Sequence, residues 1–201
     1  MKKLLIASGV TAIAAFSANT FAASPAWNFV EGAYIKADIE GQDFESEPDG
    51  FGATGSFLLN ENIFVMGKYS RLSDDIRVLN GKIETDYNQA SLGLGYRHPI
   101  SATTDIFGAV SYEYIELEVD GFGESDSVDE DGYGLAAGVR SMLNENVEVN
   151  GTLAYVDIDD ESETSLGLSA YYYFNPNFAA GVGYTFGDEA DTYQASLRYV
   201  F

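Results

Sequence analysis

The sequence predicts an all-β fold, an antiparallel up-and-down barrel of ten strands that crosses a membrane, on three observations. Apolar and polar residues alternate in segments of about ten residues, which is typical of strands with two different faces. The polar face is rich in glycine, whereas the apolar face carries aromatic residues near both ends of the segments, as expected between two membrane interfaces. Acidic residues are concentrated between segments, in alternate connectors.

The composition excludes several classes of protein. The 201 residues include 32 Asp and Glu against 10 Lys and Arg, and no Cys. Such a chain would repel a phosphate backbone, so nucleic acid is excluded as a partner. Without cysteine there can be no disulfide framework, thiolate metal site or cysteine nucleophile. The 14% aromatic content argues against the disorder that strong acidity otherwise indicates.

Residues 1–22 are predicted to be a secretory signal peptide. Lys2 and Lys3 precede an uncharged apolar run over 4–18, and the small residues Thr20 and Ala22 then stand three and one positions before a cut. We expect cleavage after Ala22 or one residue later. A transmembrane anchor is the alternative, but it needs about 20 apolar residues. The barrel domain is therefore predicted to span 23–201.

Alternation defines the ten strands. In the segment 89–96, for example, Ala90, Leu92, Leu94 and Tyr96 form one face, and smaller or polar residues form the other. The predicted strands are 28–39, 50–59, 63–72, 87–97, 105–116, 132–143, 147–156, 164–174, 178–187 and 192–201. An even number of strands can close into a barrel, which removes the sheet edges that hydrocarbon does not tolerate.

The connectors differ between the two ends of the predicted barrel. Four are short, namely 60–62, 98–104, 144–146 and 175–177. The other five, 40–49, 73–86, 117–131, 157–163 and 188–191, hold with the adjoining strand ends 25 of the 32 acids. We expect the short turns to face the periplasm and the acidic loops to face the exterior.

The direction of the two faces decides between a soluble sandwich and a transmembrane barrel. A sandwich turns its polar face to water and a barrel turns it inward. The polar face here is built on Gly93, Gly95, Gly134, Gly138 and similar small residues. Small residues fit the crowded inner side of a narrow barrel better than a water-facing surface, so the glycine face is predicted to line the lumen.

Three stretches resemble small Gram-negative outer-membrane barrels of the Ail/OmpX type, which are related to the barrel domain of OmpA-type and porin-like proteins. They are the last strand 193–201, the run 133–139 with Asn144-Glu145-Asn146-Val147, and the run 105–112. The resemblance implies an outer-membrane location with extracellular loops. It also implies an assembly signal at Tyr199 and Phe201 that is read by the barrel-assembly machinery. Those relatives have eight strands, which is the alternative to the ten counted here.

Charged residues on the predicted inner face form a candidate site. They are Lys68, Arg97, Glu113, Arg140, Glu148 and Arg198. We predict a charge network that closes the lumen, since small barrels are usually filled by side chains. The alternative is a narrow channel for small solutes or ions that is lined by the bases.

The first strand allows two phases. We predict Phe29, Ala33, Ile35 and Ala37 outward, which takes Glu31 with them and leaves Lys36 as an inner base. The other phase turns 30, 32 and 34 outward together with Lys36. An acid on the lipid face costs less than the ~2–4 kcal/mol of a base at mid-membrane, which favours the first phase.

The acidic loops offer weak metal candidates. Asp126, Asp129, Glu130 and Asp131 lie close together in the chain, and carboxylates at this density can take Ca²⁺ or Mg²⁺. The stretch lacks the first ligand and the closing Glu of an EF-hand loop, so solvated loops are the simpler interpretation. We expect no resident cofactor and at most weak divalent-ion binding.

No enzyme is predicted. The run 50–55 matches G-x-G-x-x-G but follows an acidic loop and opens a strand, whereas a dinucleotide site needs a strand before it and a helix after it. His98 is the only histidine and lies in a short turn, away from the acid clusters. The expected role is therefore structural or interactional, in envelope integrity or adhesion, with membrane lipids and lipopolysaccharide as neighbours.

Overall fold

The computed structural model describes residues 24–40, 45–78, 81–121, 124–159, 161–188 and 190–201. The predicted signal peptide 1–22 lies outside them. The described residues form eleven strands. They are β1 Phe29–Glu40, β2 Glu45–Ser46, β3 Asp49–Leu58, β4 Ile63–Val78, β5 Gly81–Pro99, β6 Thr104–Gly121, β7 Glu124–Met142, β8 Val147–Ile158, β9 Glu161–Asn175, β10 Phe178–Gly187 and β11 Ala190–Val200.

Ten of these strands close into one antiparallel barrel. Each strand pairs with the next in the chain, and β11 pairs back with β1 from Phe29 opposite Val200 to Ile39 opposite Ala190. The two residues of β2 pair only with the end of β1. The prediction of a ten-stranded barrel is confirmed, and the eight-stranded alternative is wrong. Within the described ranges, no helix is long and apolar enough to cross a membrane.

The barrel is inside-out relative to a water-soluble protein. On the outer wall Leu197 is 67% exposed and Val182 is 64% exposed, whereas Glu148 and Asp105 are fully buried within. Glycines make room on the inner wall. A Cβ on Gly95 would collide with the ring of Phe64, for instance, so glycine lets this aromatic fill the lumen.

The strands extend further at the acidic end than the sequence predicted. The predicted loops 73–86 and 117–131 are largely strand, because β4 runs to Val78, β5 starts at Gly81, β6 ends at Gly121 and β7 starts at Glu124. In the same way, β8 and β9 take up most of 157–163. These loop predictions are therefore wrong. The strands β4–β7 continue as two long hairpins beyond the outward tyrosines Tyr69, Tyr112 and Tyr133.

The error has a physical cause in β6. Up to Tyr114 the outward residues are apolar, as in Val110 and Tyr112. Beyond Tyr114 the apolar and polar residues exchange sides, and we call this position the exchange point. Ile115 is buried inside, while Glu116 and Glu118 continue the outward series. The strand keeps its two-residue period, and only the chemistry of each face reverses. Polar outward residues here indicate water rather than the end of the strand, so the predicted loop from 117 is wrong.

The same exchange corrects the phase of β1. Val30 and Tyr34 point outward and are about half exposed, while Phe29, Glu31 and Ala37 are buried inside. The predicted phase, with Phe29, Ala33, Ile35 and Ala37 outward and Lys36 inward, is wrong. Lys36 belongs to the outward series and pairs with Glu47 at 2.7 Å. Ile35 and Ala37 lie past the exchange point, where apolar residues turn inward.

Three of the short turns share one Asn-x-Asn geometry. In each, the first asparagine accepts two backbone N–H bonds, as Asn144 Oδ1 does from Asn146 at 2.9 Å and Val147 at 3.0 Å. The second asparagine donates its Nδ2 to a carbonyl of the next hairpin, as Asn146 does to Tyr173 at 3.0 Å. The turns at 60–62 and 175–177 repeat both contacts. One side chain closes the turn, and the other ties adjacent hairpins together.

The two asparagines of one turn should therefore respond differently to substitution. We expect Asn144→Asp to be tolerated, because aspartate keeps the accepting oxygen. Asn146→Asp removes the donor and faces the Tyr173 carbonyl with an oxygen, which we expect to cost about 1–3 kcal/mol. Urea unfolding in detergent micelles measures both. Equal losses for the two variants would contradict the assigned roles.

Candidate functional site

Two ion pairs, which a longer contact links to each other, form the centre of the lumen. Arg140 of β7 donates Nε and Nη2 to Glu148 Oε1 at 2.9 and 2.7 Å. Arg198 of β11 donates Nε to Glu31 Oε2 at 2.8 Å and approaches Glu148 Oε1 at 3.5 Å. All four residues are buried. The four charges cancel, which lowers the cost of burying them.

Two tyrosines of β9 complete this network. Tyr173 donates its hydroxyl to Glu148 Oε2 at 2.6 Å, and Tyr171 donates to Glu31 Oε1 at 3.2 Å. Each carboxylate thus accepts hydrogen bonds on both oxygens. The network joins β1, β7, β8, β9 and β11 across the lumen, so it cross-links strands that are not neighbours in the wall.

Aromatic rings flank the guanidinium groups. Arg198 lies 3.7 Å from the ring centroid of Tyr171 and 4.1 Å from that of Phe29. Arg140 lies 4.6 Å from the ring centroid of Trp27. A cation over an aromatic face is favourable and excludes water at the same time. The rings therefore fill the space that two long arginines leave in a ten-stranded bore.

A second cluster lies nearer the short-turn end. Asp105 Oδ2 accepts hydrogen bonds from Trp27 Nε1 at 2.7 Å and Arg97 Nη1 at 2.9 Å. The Trp27 ring packs against Phe64 and Phe107, with centroids 4.5 and 5.4 Å away. Residues 24–27, which precede the first strand, thus enter the barrel and fill its mouth with an indole.

Two small cavities border these clusters. The first, of about 110 Å³, is lined by Glu31, Ser56, Lys68, Arg140 and Asn150 among others. The second, of about 80 Å³, also borders Glu31 and Lys68 and reaches Glu113, whose carboxylate accepts the Ser111 hydroxyl at 2.5 Å. Each space is large enough for only a few water molecules and leaves little open bore.

Apolar side chains fill the lumen nearer the acidic end. Ile115, Val156 and Ile158 pack together on one side. Ala37, Ile39, Leu72 and Ala190 form a second cluster, with Ile35 and Tyr87 against it. These are residues that turn inward past the exchange point. From the short turns outward, the interior thus passes through the aromatic rings around Trp27, the charge network with the two cavities that border it, and an apolar layer.

The six predicted network residues do not form a single cluster. Arg140, Glu148 and Arg198 come together, Arg97 lies in the Asp105 cluster, and Lys68 and Glu113 line the cavities. Sequence reasoning missed Glu31, Asp105 and the tyrosines. Glu31 was hidden by the wrong phase of β1. Asp105 stands two residues from Phe107 on the inward face, so alternation alone could have found it.

The four metal candidates do not converge. They lie on one strand, β7, where Glu130 belongs to the inward series and Asp129 and Asp131 to the outward series. In the part of the chain that the structure describes, no group of three or more His, Asp or Glu side chains is arranged to hold a metal ion. Desolvation raises the pKa of Glu130, and Asp159, Glu161 and Asp129 add to the rise by repulsion. Carboxylates thus crowd this rim.

The remaining sequence motifs carry no site. His98 is exposed at the short-turn end, where β5 gives way to the turn at 100–103. The G-x-G-x-x-G run lies within β3 and pairs with β1 and β4 on either side, so it is part of the wall. Among the described residues, the side chains of His98 and of residues 50–55 take no part in the ion pairs of the interior.

Comparison with known proteins identifies the family. The model of the outer membrane protein beta-barrel domain matches residues 8–186. This chain belongs to that family. It is therefore a barrel of the Gram-negative outer membrane, with its long hairpins outside the cell and its short turns in the periplasm.

Individual relatives of this outer-membrane barrel are distant. The attachment invasion locus protein of Yersinia enterocolitica is 24% identical over 180 residues, which cover 87% of this chain and all of the relative. The crystal structure of Ail from Yersinia pestis with the heparin analogue sucrose octasulfate is 15% identical, with a TM-score of 0.51 over 86% of this chain and 97% of that one. The transport unit of the autotransporter AIDA-I from Escherichia coli gives 0.54 at 12% identity, over 86% and 90%. The two structures show the same fold.

The barrel should depend strongly on Glu148. Glu148→Ala leaves Arg140 without its buried partner, and we expect a loss of about 3–5 kcal/mol in the free energy of unfolding. Glu145→Ala is the matched control, because that acid is exposed in the turn before β8, and it should change stability by less than about 0.5 kcal/mol. Urea unfolding in micelles, followed by tryptophan fluorescence of Trp27, measures both. Similar values for the two variants would contradict a structural role for the network.

Proposed function

We propose that this barrel is a non-catalytic surface-contact protein of the outer membrane, in adhesion or envelope integrity. The observation that carries the proposal is the extension of β4–β7 beyond the outward tyrosines. These strands form a continuous four-stranded sheet that stands out from the membrane. A rigid sheet presents side chains to a partner without the ordering cost that a flexible loop incurs on binding.

The outward face of this sheet is acidic. Glu116 lies opposite Asp129 in the ladder, and Glu118 and Asp131 continue the same outward series on the two strands. A row of carboxylates with few bases among them attracts cationic groups and repels anionic ones. We therefore propose a partner with a basic surface. Divalent ions that bridge these acids to lipopolysaccharide are a second, weaker use of the same charge.

The comparison with Ail supports contact as the role and sets a contrast in charge. The Yersinia enterocolitica relative bears the name attachment invasion locus protein, and Ail of Yersinia pestis was crystallised with a heparin analogue, which is a polyanion. This chain carries a net charge of −22 before any cleavage. We propose that it keeps the contact role and has a different, positively charged class of partner.

The lumen is proposed to be closed. The Arg140, Glu148, Arg198 and Glu31 network, the Trp27 stopper and the apolar layer lie one above another along the bore. The narrow channel is the second candidate, and the polar cavities around Lys68 favour it. The buried ion pairs on one side of those cavities and the apolar clusters on the other support closure instead.

Two further proposals concern biogenesis. We propose that the chain is cut after Ala22 or Ala23, so that residues 24–27 are free to enter the barrel mouth. We also propose that Tyr199 and Phe201, which are exposed on the outer wall at the end of the chain, are read by the barrel-assembly machinery.

The acidic face can be tested on whole cells. Cells with the barrel should adhere to surfaces coated with poly-L-lysine more than to surfaces coated with heparin. A variant with Glu116→Gln, Glu118→Gln, Asp129→Asn and Asp131→Asn should lose most of this preference. Glu61→Gln with Glu145→Gln, at the periplasmic end, is the control and should behave as wild type. Equal adhesion to heparin, or no effect of the four substitutions, would contradict the proposed partner class.

Closure can be tested by electrical recording. The wild-type barrel in a planar bilayer should show no stable openings in potassium chloride. Arg140→Ala combined with Glu148→Ala removes an ion pair from the bore and should raise the frequency of openings. Stable, reproducible openings of the wild type would reject closure and favour the channel.

A further inference from the structure

The Asp105 carboxylate is buried and only partly used. Asp105 is the second residue of β6 and is fully inaccessible to solvent. Trp27, Arg97 and Ser24 all direct their donors to Oδ2, at 2.7, 2.9 and 3.4 Å. The other oxygen, Oδ1, has no hydrogen-bond partner among the residues that the structure describes. A buried carboxylate oxygen without a donor costs free energy, so a missing donor is indicated.

The proposed start of the mature chain lies next to the Asp105 carboxylate. The hydroxyl of Ser24 is already within 3.4 Å of the same carboxylate, although the rest of Ser24 is exposed. Cleavage after Ala23 makes the nitrogen of Ser24 the new α-amino group. Cleavage after Ala22 moves it one residue away, about 3.8 Å along the chain. In both cases, the new ammonium group forms on Ser24, which contacts Asp105, or on the residue bonded to it.

We propose that Asp105 is the binding site for the α-ammonium group of the mature chain, which donates to Oδ1. This inference rests on the proposed cleavage. An ammonium carries three donors and a positive charge, and hydrogen bonds between charged groups are stronger than those between neutral ones. The uncut precursor has only a neutral amide at this position. Removal of the signal peptide therefore supplies the last donor of the cluster and fastens the Trp27 stopper in the periplasmic mouth.

The charges around the site set a demanding test. Arg97 contacts the same carboxylate, and Arg140 lies over the Trp27 ring, so both oppose a further positive charge. Glu148 pairs with Arg140 and offsets it. A raised pKa of the α-amine therefore requires direct contact with Asp105, since the remaining surroundings lower it or leave it unchanged.

The experiment is a ¹⁵N NMR titration of the terminal amine in the refolded mature barrel that starts at Ala23, and in a second preparation that starts at Ser24. An α-amine ordinarily titrates at about 7.7–8.0. We expect at least one preparation to titrate at least one pH unit higher, a tenfold gain in proton affinity. Asp105→Asn should return it to the ordinary range. Glu145→Gln, which removes an exposed acid at the same end, should leave it raised.

A chain with Gly-Ser added before Ala23 gives an independent check if Asp105→Asn does not fold. Its amine is displaced from the carboxylate and should titrate normally while Trp27 stays buried. An ordinary pKa in both mature chains would overturn the inference, with water then the occupant of Oδ1. Intact-mass analysis of the protein from membranes tests the cleavage separately, because a different mature start would reject the processing step whatever the titration shows.

Discussion

The pairing of β11 with β1 is the constraint on which the rest of the structure depends. Within hydrocarbon no water is available to satisfy an open sheet edge, so every backbone group of the wall must find a partner in the wall. The ladder from Phe29 opposite Val200 to Ile39 opposite Ala190 provides this closure. Once the sheet is closed, one face of every strand must point into a narrow bore. The problem of what fills that bore follows from the closure.

The bore is filled in a way that a water-soluble core is not. Its centre is ionic, with Arg140, Glu148, Arg198 and Glu31 held within hydrogen-bonding distance of one another. Buried charges are tolerated there because each is paired and because both guanidinium groups pack against aromatic rings. The apolar clusters around Ile158 and Leu72 lie nearer the acidic end, beyond the exchange point. The part of the barrel nearer the short turns thus has a charged interior and an apolar outer wall. The part nearer the acidic end has an apolar interior and a polar outer wall, as in a water-soluble protein.

This combination explains how far the sequence could predict the structure. The alternation in segments such as 89–96 indicates membrane-spanning strands with their glycines inward. The number of such segments gives the ten strands. The alternation does not reveal where the apolar face changes sides, because the period stays at two. The facing of Ile35 and Ala37 in β1, and the continuation of β6 beyond residue 116, were predicted wrongly for that one reason. The partners of Glu148 depend on registry across the bore, which no local pattern contains.

The exchange of apolar and polar residues between the two faces also fixes the depth at which the barrel lies in the membrane. In β6 the apolar outward residues run from Ile106 to Tyr114, about 26 Å along the strand and roughly 20 Å along the membrane normal at an ordinary tilt. Sinking by one pleat would immerse Glu116, and rising by one would move Tyr114 out of the membrane interface into water. The bilayer therefore holds the barrel at one depth. The height of the hairpins above the lipid headgroups is set by the position at which the outward residues change from apolar to polar.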